Sequence, residues 1–269
     1  NNAVEWYKKA ADQGFATAQC SLGWMYEKGQ GVDQSDNNAV EWYKKAADQG
    51  FAPAQNNFGT MYYNGKGVPS DLSKQERQKI AVEWVQKAAD QGFAPAQEGL
   101  GVMYKNGEIV LQSDKTAVEW FKKAAGQGFA PAQLNLGIMH YNGKGELTQN
   151  DKNAVIWFQK AANQENAKAQ YNLGWMYYNG KGVPSDLSKQ ERQEIAAKWY
   201  QKAAKQGDAL AQCSLSMMYV QGRGGLVQSD VQAVEWLQKA ADQRFAPAQN
   251  ILHRITQKKT SSKKKKIKI

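Results

Sequence analysis

The chain has 269 residues, a formal net charge of +10, two His and two Cys, and is 42% hydrophobic and 11% aromatic. That is enough apolar material for a packed core, which excludes wholesale disorder, and no run of about 18 apolar residues is present to span a membrane. The charge is local: seven Lys and no acid lie between Thr256 and Ile269, leaving 28 basic and 25 acidic side chains in the 255 residues before them. A near-neutral body argues against a nucleic-acid-binding face along it, which needs a basic stripe.

The first predicted helix reads Ala3-x-x-Trp6-Tyr7-x-x-Ala10-Ala11, apolar at i, i+3, i+4, i+7 and i+8. Glu5 and Lys9 make an i,i+4 pair on its polar side, and Gly14 stops it. A second helix follows, Ala18-Gln19-x-x-Leu22-Gly23-x-x-Tyr26, closed by a Gly-rich loop. The pair then recurs. Its Trp residues are 6, 42, 84, 120, 157, 199 and 236, spaced by 36, 42, 36, 37, 42 and 37. Met61–Gln78 and Met176–Gln193 are identical, so a three-repeat block is duplicated at an offset of 115 residues. Pro53, Pro95, Pro131 and Pro247 open copies of the second helix, where a missing amide hydrogen costs nothing. Gly23, Gly59, Gly101, Gly137 and Gly174 sit mid-helix, where Gly costs about 1 kcal/mol against Ala; close approach of a neighbouring helix is the expected compensation. Trp6 and its equivalents are expected on the buried face, and the Lys ladder at 9, 45, 87, 123, 160, 202 and 239 on a solvated face with local Glu partners.

Two short amphipathic helices cannot bury both faces alone, so neighbouring pairs must stack. The expected organisation is an array over residues 1–255: a half unit at 3–14, six helix pairs at 15–243 and a closing helix at 244–255. A Lys-rich tail at 256–269 is expected to be disordered. At the close, Leu252-His253 replaces Leu-Gly, which a helix with no successor tolerates. The start has no such cap: residues 3–13 repeat the internal pattern. The expectation is a chain cut from a longer array, or an end-to-end contact covering the Trp6 helix. A first residue other than Met agrees with a fragment or processed product.

The pattern AxxWYxKAAxQGxAxAQxxLGxMYxxGxGV resembles the Sel-1-like repeat, a relative of the tetratricopeptide repeat, over residues 3–255. The resemblance implies an all-α, right-handed α/α superhelical solenoid that holds proteins together as an adaptor or scaffold, without a reaction. Some cysteine-rich secreted members of the Helicobacter type staple each repeat with a disulfide. Here Cys20 and Cys213 stand in units far apart, at 8–10 Å per packed helix against the ~7 Å a disulfide allows, so no disulfide is expected. The lack of paired cysteines favours the cytoplasm and leaves secreted and nuclear locations open. The Lys/Asn/Arg clamp by which tetratricopeptide domains grip acidic tails is not found at the matching positions.

Positions that vary between otherwise similar copies are freer of packing constraints, and three stand out in the Leu-Gly helix. The first holds Cys20, Asn56, Glu98, Leu134, Tyr171 and Cys213; the second Trp24, Thr60, Val102, Ile138, Trp175 and Met217; the third Glu27, Tyr63, Lys105, Tyr141, Tyr178 and Val220. Spaced i, i+4 and i+7, they form one stripe, and the resemblance puts that stripe on a concave groove. Trp24, Glu27, Asn56, Tyr63, Glu98, Lys105, Leu134, Tyr141, Tyr171, Trp175, Tyr178 and Met217 are the candidate partner-binding residues. Trp and Tyr among them are the side-chain types that dominate interface energetics. The competing reading packs these aromatics between units.

No catalytic residue, cofactor or metal is expected. His140 and His253 have no ligand-spaced neighbours, and no nucleophile elbow is present. Ser35-Asp36-Asn37 and Ser262-Lys263-Lys264-Lys265 match two β-lactamase motifs, but no K-T-G accompanies them. The Gly-x-Gly turns follow no strand and precede no G-K-[ST], so they are not phosphate loops. The leading expectation is thus a non-enzymatic scaffold for a protein or peptide partner. Its rivals are RNA or polyanion binding through the tail and Lys ladder and, below that, β-lactam binding or hydrolysis of the Helicobacter cysteine-rich type.

Overall fold

A computed structural model of the chain describes residues 2–107 and 110–255. Every regular element among the described residues is an α-helix. In chain order these are α1 (Asn2–Asp12), α2 (Ala16–Lys28), α3 (Asp36–Asp48), α4 (Ala52–Asn64), α5 (Lys74–Asp90), α6 (Ala94–Asn106), α7 (Asp114–Gly126), α8 (Ala130–Asn142), α9 (Asp151–Asn163), α10 (Ala167–Asn179), α11 (Lys189–Lys205), α12 (Ala209–Gln221) and α13 (Asp230–Asp242). A closing helix, α14, covers residues 246–255. None is long and apolar enough to cross a membrane. The Lys-rich tail lies outside the described residues.

The helices form two compact units, one running to Ala132 with Lys144–Glu146, the other comprising Gln133–Gly143 and the residues from Leu147 onward. Within each, even helices pack on the odd helix that follows: α2 on α3, α4 on α5 and α6 on α7 in the first, α10 on α11 and α12 on α13 in the second. The fold class expected from the sequence is thus observed: an all-α solenoid of stacked helix pairs.

Local signals fix the helix ends. Ser35, Ser113, Asn150 and Ser229 cap α3, α7, α9 and α13, each side chain accepting from the amide three residues on. The duplicated segment carries full capping boxes, Ser73 with Glu76 and Ser188 with Glu191, and these begin the two helices that run to 17 residues instead of 13. That extra turn accounts for most of each long repeat spacing.

The mid-helix glycines are where the pairs close. A Cβ on Gly23 would lie 2.7 Å from the ring of Tyr43, one on Gly137 2.6 Å from Phe158 and one on Gly174 2.9 Å from Tyr200. On Gly59 it would meet Val85 at 2.8 Å. No methyl fits at such distances, so Gly is required for the next helix to seat its large residue. In α12 the position is Ser216, and the residue seated opposite in repeat register is the smaller Leu237.

This contact corrects the reading of the Trp column. The buried residue of each odd helix is the one after Trp: Tyr43, Val85, Phe121, Phe158, Tyr200 and Leu237 are at most 3% exposed. At about 100° per residue, the preceding Trp is turned to the edge of the packed face. Trp42, Trp84, Trp120, Trp157, Trp199 and Trp236 are half-buried, and Trp6 is 69% exposed. The Lys ladder lies on the solvated face, as expected, with Trp rings as partners. Lys45, Lys87, Lys123, Lys160, Lys202 and Lys239 hold their Nζ 3.8–4.5 Å from the ring centroid of the Trp three residues earlier. The ladder is therefore a row of cation–π pairs, each contributing about 0.5–1 kcal/mol at such partly exposed sites. In α1, Tyr7 occupies the seat of Tyr43 yet is 42% exposed, since no Leu-Gly helix covers it among the described residues.

A second element links one pair to the next. Buried Gln19, Gln55 and Gln97 donate from Nε2 to the carbonyls of Ala11, Ala47 and Ala89 in the preceding odd helix, at 3.0–3.2 Å. Their own Oε1 accepts from Gln49, Gln91 and Gln127, at the end of the following odd helix, at 2.7–2.8 Å. Gln170 and Gln212 repeat both bonds in the second unit, to Ala162 and Ala204 and from Gln206 and Gln243. Each amide thereby meets its burial with partners on both sides.

Gly99 and Gly101 stand two residues apart in α6 but in opposite surroundings. A Cβ on Gly101 would reach within 2.5 Å of the Phe121 ring, whereas on Gly99 the nearest atom is 3.8 Å away. Gly101→Ala should therefore destabilise the chain by about 1–3 kcal/mol through overpacking. Gly99→Ala should stabilise it by about 0.5–1 kcal/mol through helix propensity. Urea unfolding of the two variants checks both signs.

Candidate functional site

The stripe of variable positions falls on one line of each even helix, as the i, i+4, i+7 spacing requires. In the first unit, α2 carries Cys20, Trp24 and Glu27, α4 carries Asn56, Thr60 and Tyr63, and α6 carries Glu98, Val102 and Lys105. Trp24 is 42% exposed, and Asn56, Tyr63, Glu98 and Lys105 are half-buried. Glu27 is tied into the scaffold: it accepts from the Tyr43 hydroxyl at 2.8 Å and pairs with Lys28. Burial alone would raise the Glu27 pKa, but the hydrogen bonds from Lys28 and Tyr43 and the charges of Lys28 and Lys66 outweigh it and hold the carboxyl below its usual range. The Tyr43 hydroxyl is pushed well up, by burial first and by Glu27 second. Beside them a cavity of about 520 Å³ is lined by Cys20, Trp24, Phe51, Pro53 and Asn57.

In the second unit the stripe runs through Leu134, Ile138 and Tyr141 of α8, Tyr171, Trp175 and Tyr178 of α10, and Cys213, Met217 and Val220 of α12. Leu134 is a correction: it retains 8% exposure and packs inward, so it presents no surface to a partner. Tyr141 and Trp175 meet edge to face across α8 and α10, with centroids 5.6 Å apart. Tyr171 leans on Tyr200, centroids 5.8 Å apart. Met217 and Val220 are about half exposed, at 54% and 48%. They open into an apolar groove of about 730 Å³ that continues over Val231 and Val234 of α13 and Ile251 and Ile255 of α14. The aromatics thus pack side by side, and Tyr141, Trp175 and Tyr178 each stay partly exposed.

Two cations border this stripe that the sequence reading did not single out. Lys181, in the loop after α10, donates to the Tyr141 hydroxyl at 3.0 Å, with its ammonium 5.0 and 5.4 Å from the Tyr141 and Trp175 ring centroids. Arg223, in the loop after α12, donates to the Tyr178 hydroxyl at 2.9 Å. The signal available was the second position of the Gly-Lys-Gly and Gly-Arg-Gly turns, which sequence reasoning weighed only as a phosphate loop. The set can bind apolar and aromatic side chains non-covalently. No group of three or more His, Cys, Asp or Glu among the described residues could hold a metal ion.

Both cysteines are free thiols. Burial raises the Cys20 pKa to about 11, against a smaller lowering by the hydrogen bond from Asn57, and burial raises that of Cys213 as well. The thiolate is the reactive form, so at pH 8 Cys20 should react with iodoacetamide at least about 10-fold more slowly than free cysteine. Equal rates, followed by mass spectrometry, would contradict this environment.

The geometry now stands beside known proteins. The chain resembles c5321, a protective antigen present in uropathogenic Escherichia coli strains displaying an SLR fold, with 36% identity and a TM-score of 0.74 over 91% of this chain and 50% of that one. It therefore spans half the length of that protein. A Sel1 repeat protein from Oxalobacter formigenes is 31% identical, with a TM-score of 0.73 over 85% of this chain and 86% of that one. An immunity protein from Pseudomonas aeruginosa, 20% identical with a TM-score of 0.54 over 86% of this chain and 82% of that one, shares the fold alone. No curated protein matches. The Sel1 repeat itself matches seven times, at residues 1–15, 16–51, 52–93, 94–129, 130–166, 167–208 and 209–245, and the chain belongs to the Sel1 repeat family.

Proposed function

We propose that this chain is a non-enzymatic scaffold that holds a peptide or helix of a protein partner against the stripe of its even helices. Sel1 repeat proteins are in general non-catalytic scaffolds that bind protein partners. The observation that carries the finer reading is the open face of Tyr141, Trp175, Tyr178, Met217 and Val220 in the second unit. These are large side chains, partly or half exposed, at positions that the Gly–ring contact and the Gln ladder leave free. Rigid aromatics with an exposed face give a partner contact area at little entropic cost.

Peptides selected from a random displayed library on the immobilised chain should share spaced apolar residues. Their affinity should fall by at least about 10-fold in the Trp175→Ala, Tyr178→Ala double variant, with far-UV circular dichroism unchanged. Selected peptides that bind this variant as tightly as the parent chain would refute the assignment of the face.

A further inference from the structure

The duplication supplies an internal comparison. Met61–Gln78 and Met176–Gln193 have the same sequence, so Lys66 and Lys181 leave the same loop. The third stripe position of the preceding even helix is what differs. In the first unit it is Glu27, whose carboxyl feels the charge of Lys66 and is also paired with Lys28. In the second unit it is Tyr141, which gives Lys181 a hydroxyl and, together with Trp175, two ring faces but no opposite charge. The carboxylate whose field reaches Lys181 is Asp151 at the start of α9, while the ammonium spends its hydrogen bond on Tyr141. The next loop differs in the same sense. Arg223 is exposed and held by the Tyr178 hydroxyl, and the residue 115 positions earlier in the sequence is Glu108. Another stripe position follows suit, with Cys213 where the first unit has Glu98. The two stripes have diverged in charge: the first holds two acids and one base, Glu27, Glu98 and Lys105, while the second holds no charged residue and has the cations Lys181 and Arg223 at its rim.

We propose that the stripe of the second unit takes an acidic peptide, seating aromatic or aliphatic side chains on Tyr141, Trp175, Tyr178 and Met217 and placing carboxylates on Lys181 and Arg223. This rests on the reading of that face as the partner site and names the partner's chemistry. The tyrosine hydroxyls preorganise both cations, and each keeps further N–H donors for a carboxylate. A polyanion without apolar groups would satisfy the cations and leave the rings uncovered. An apolar peptide without acids would cover the rings and give the two cations no carboxylate.

The test uses the full chain and two fluorescein-labelled peptides, one alternating Glu and Phe, the other with Gln for every Glu, read by fluorescence anisotropy. The acidic peptide should bind at least about 10-fold more tightly than its Gln twin, and added salt should narrow the gap. Lys181→Gln with Arg223→Gln should remove that advantage while leaving the Gln twin within about 2-fold. Tyr141→Glu, which installs the residue type of the first unit, should weaken both peptides through the lost ring and the acidic peptide at least about 10-fold further through the added charge. Equal binding of the two peptides, or an acidic-peptide affinity indifferent to the double substitution, overturns the proposal. If Trp175→Ala, Tyr178→Ala still abolishes binding of both peptides in that case, the face stands and only its charge preference falls. Binding of neither peptide also overturns it, and the library selection then decides the face on its own. Competition by heparin as strong as by the acidic peptide would replace a peptide partner with a polyanion.

Discussion

Everything in this array hangs on a missing methyl group. Where an even helix crosses the odd helix after it, Gly23, Gly59, Gly101, Gly137 and Gly174 let Tyr43, Val85, Phe121, Phe158 and Tyr200 approach the backbone. The cost in helix propensity is about 1 kcal/mol per glycine. Against it stands the burial of a large side chain, worth about 1.5–3 kcal/mol, together with the alanine-lined interface that the close approach permits. Once that contact sets the crossing of the two helices, the rest of the even helix has little freedom. One line of residues faces its partner, another meets the preceding helix, and a third is left for the surface.

That division explains why packing positions repeat almost verbatim while the stripe does not. Ala, Leu-Gly and Gln solve the same problem in each copy, so substitution there is costly. The stripe meets its own equivalents in neighbouring pairs, as Tyr141 touches Trp175, and the outer edge of the frame, as Tyr171 touches Tyr200, and it holds Trp, Tyr, Glu, Met or Cys in different copies of the same frame. Function in this architecture is written on the residues that the frame does not need.

The sequence made the helices, their pairing and the role of the glycines legible, because 3.6-residue periodicity and a repeated exception to helix propensity are both visible in one dimension. It misplaced Trp6 and its equivalents. Periodicity puts i and i+1 on the same side of a helix, and only the position of the Gly seat decides that Tyr43 goes in and Trp42 to the edge. Leu134 was likewise indistinguishable in sequence from its less buried counterparts Tyr171 and Cys213. The rim cations Lys181 and Arg223 were hidden for another reason: their partners lie 40 and 45 residues away in the chain. The glutamines recurred in plain view at Gln19, Gln55, Gln97, Gln170 and Gln212, but a polar residue beside an apolar seam reads as surface until its two partners are seen.

Those glutamines also guard against a kind of error to which alanine-rich interfaces are prone. Small, similar side chains offer one helix several nearly equivalent seats along its neighbour, and a shift by a turn would lose little shape complementarity. An amide that must find the Ala162 carbonyl on one side and Gln206 on the other has one seat. After such a shift both groups would be buried without partners, at about 1–3 kcal/mol each. Repeated along a unit, the ladder works as a vernier that makes consecutive pairs count in step, so that stripe residues from neighbouring repeats arrive side by side.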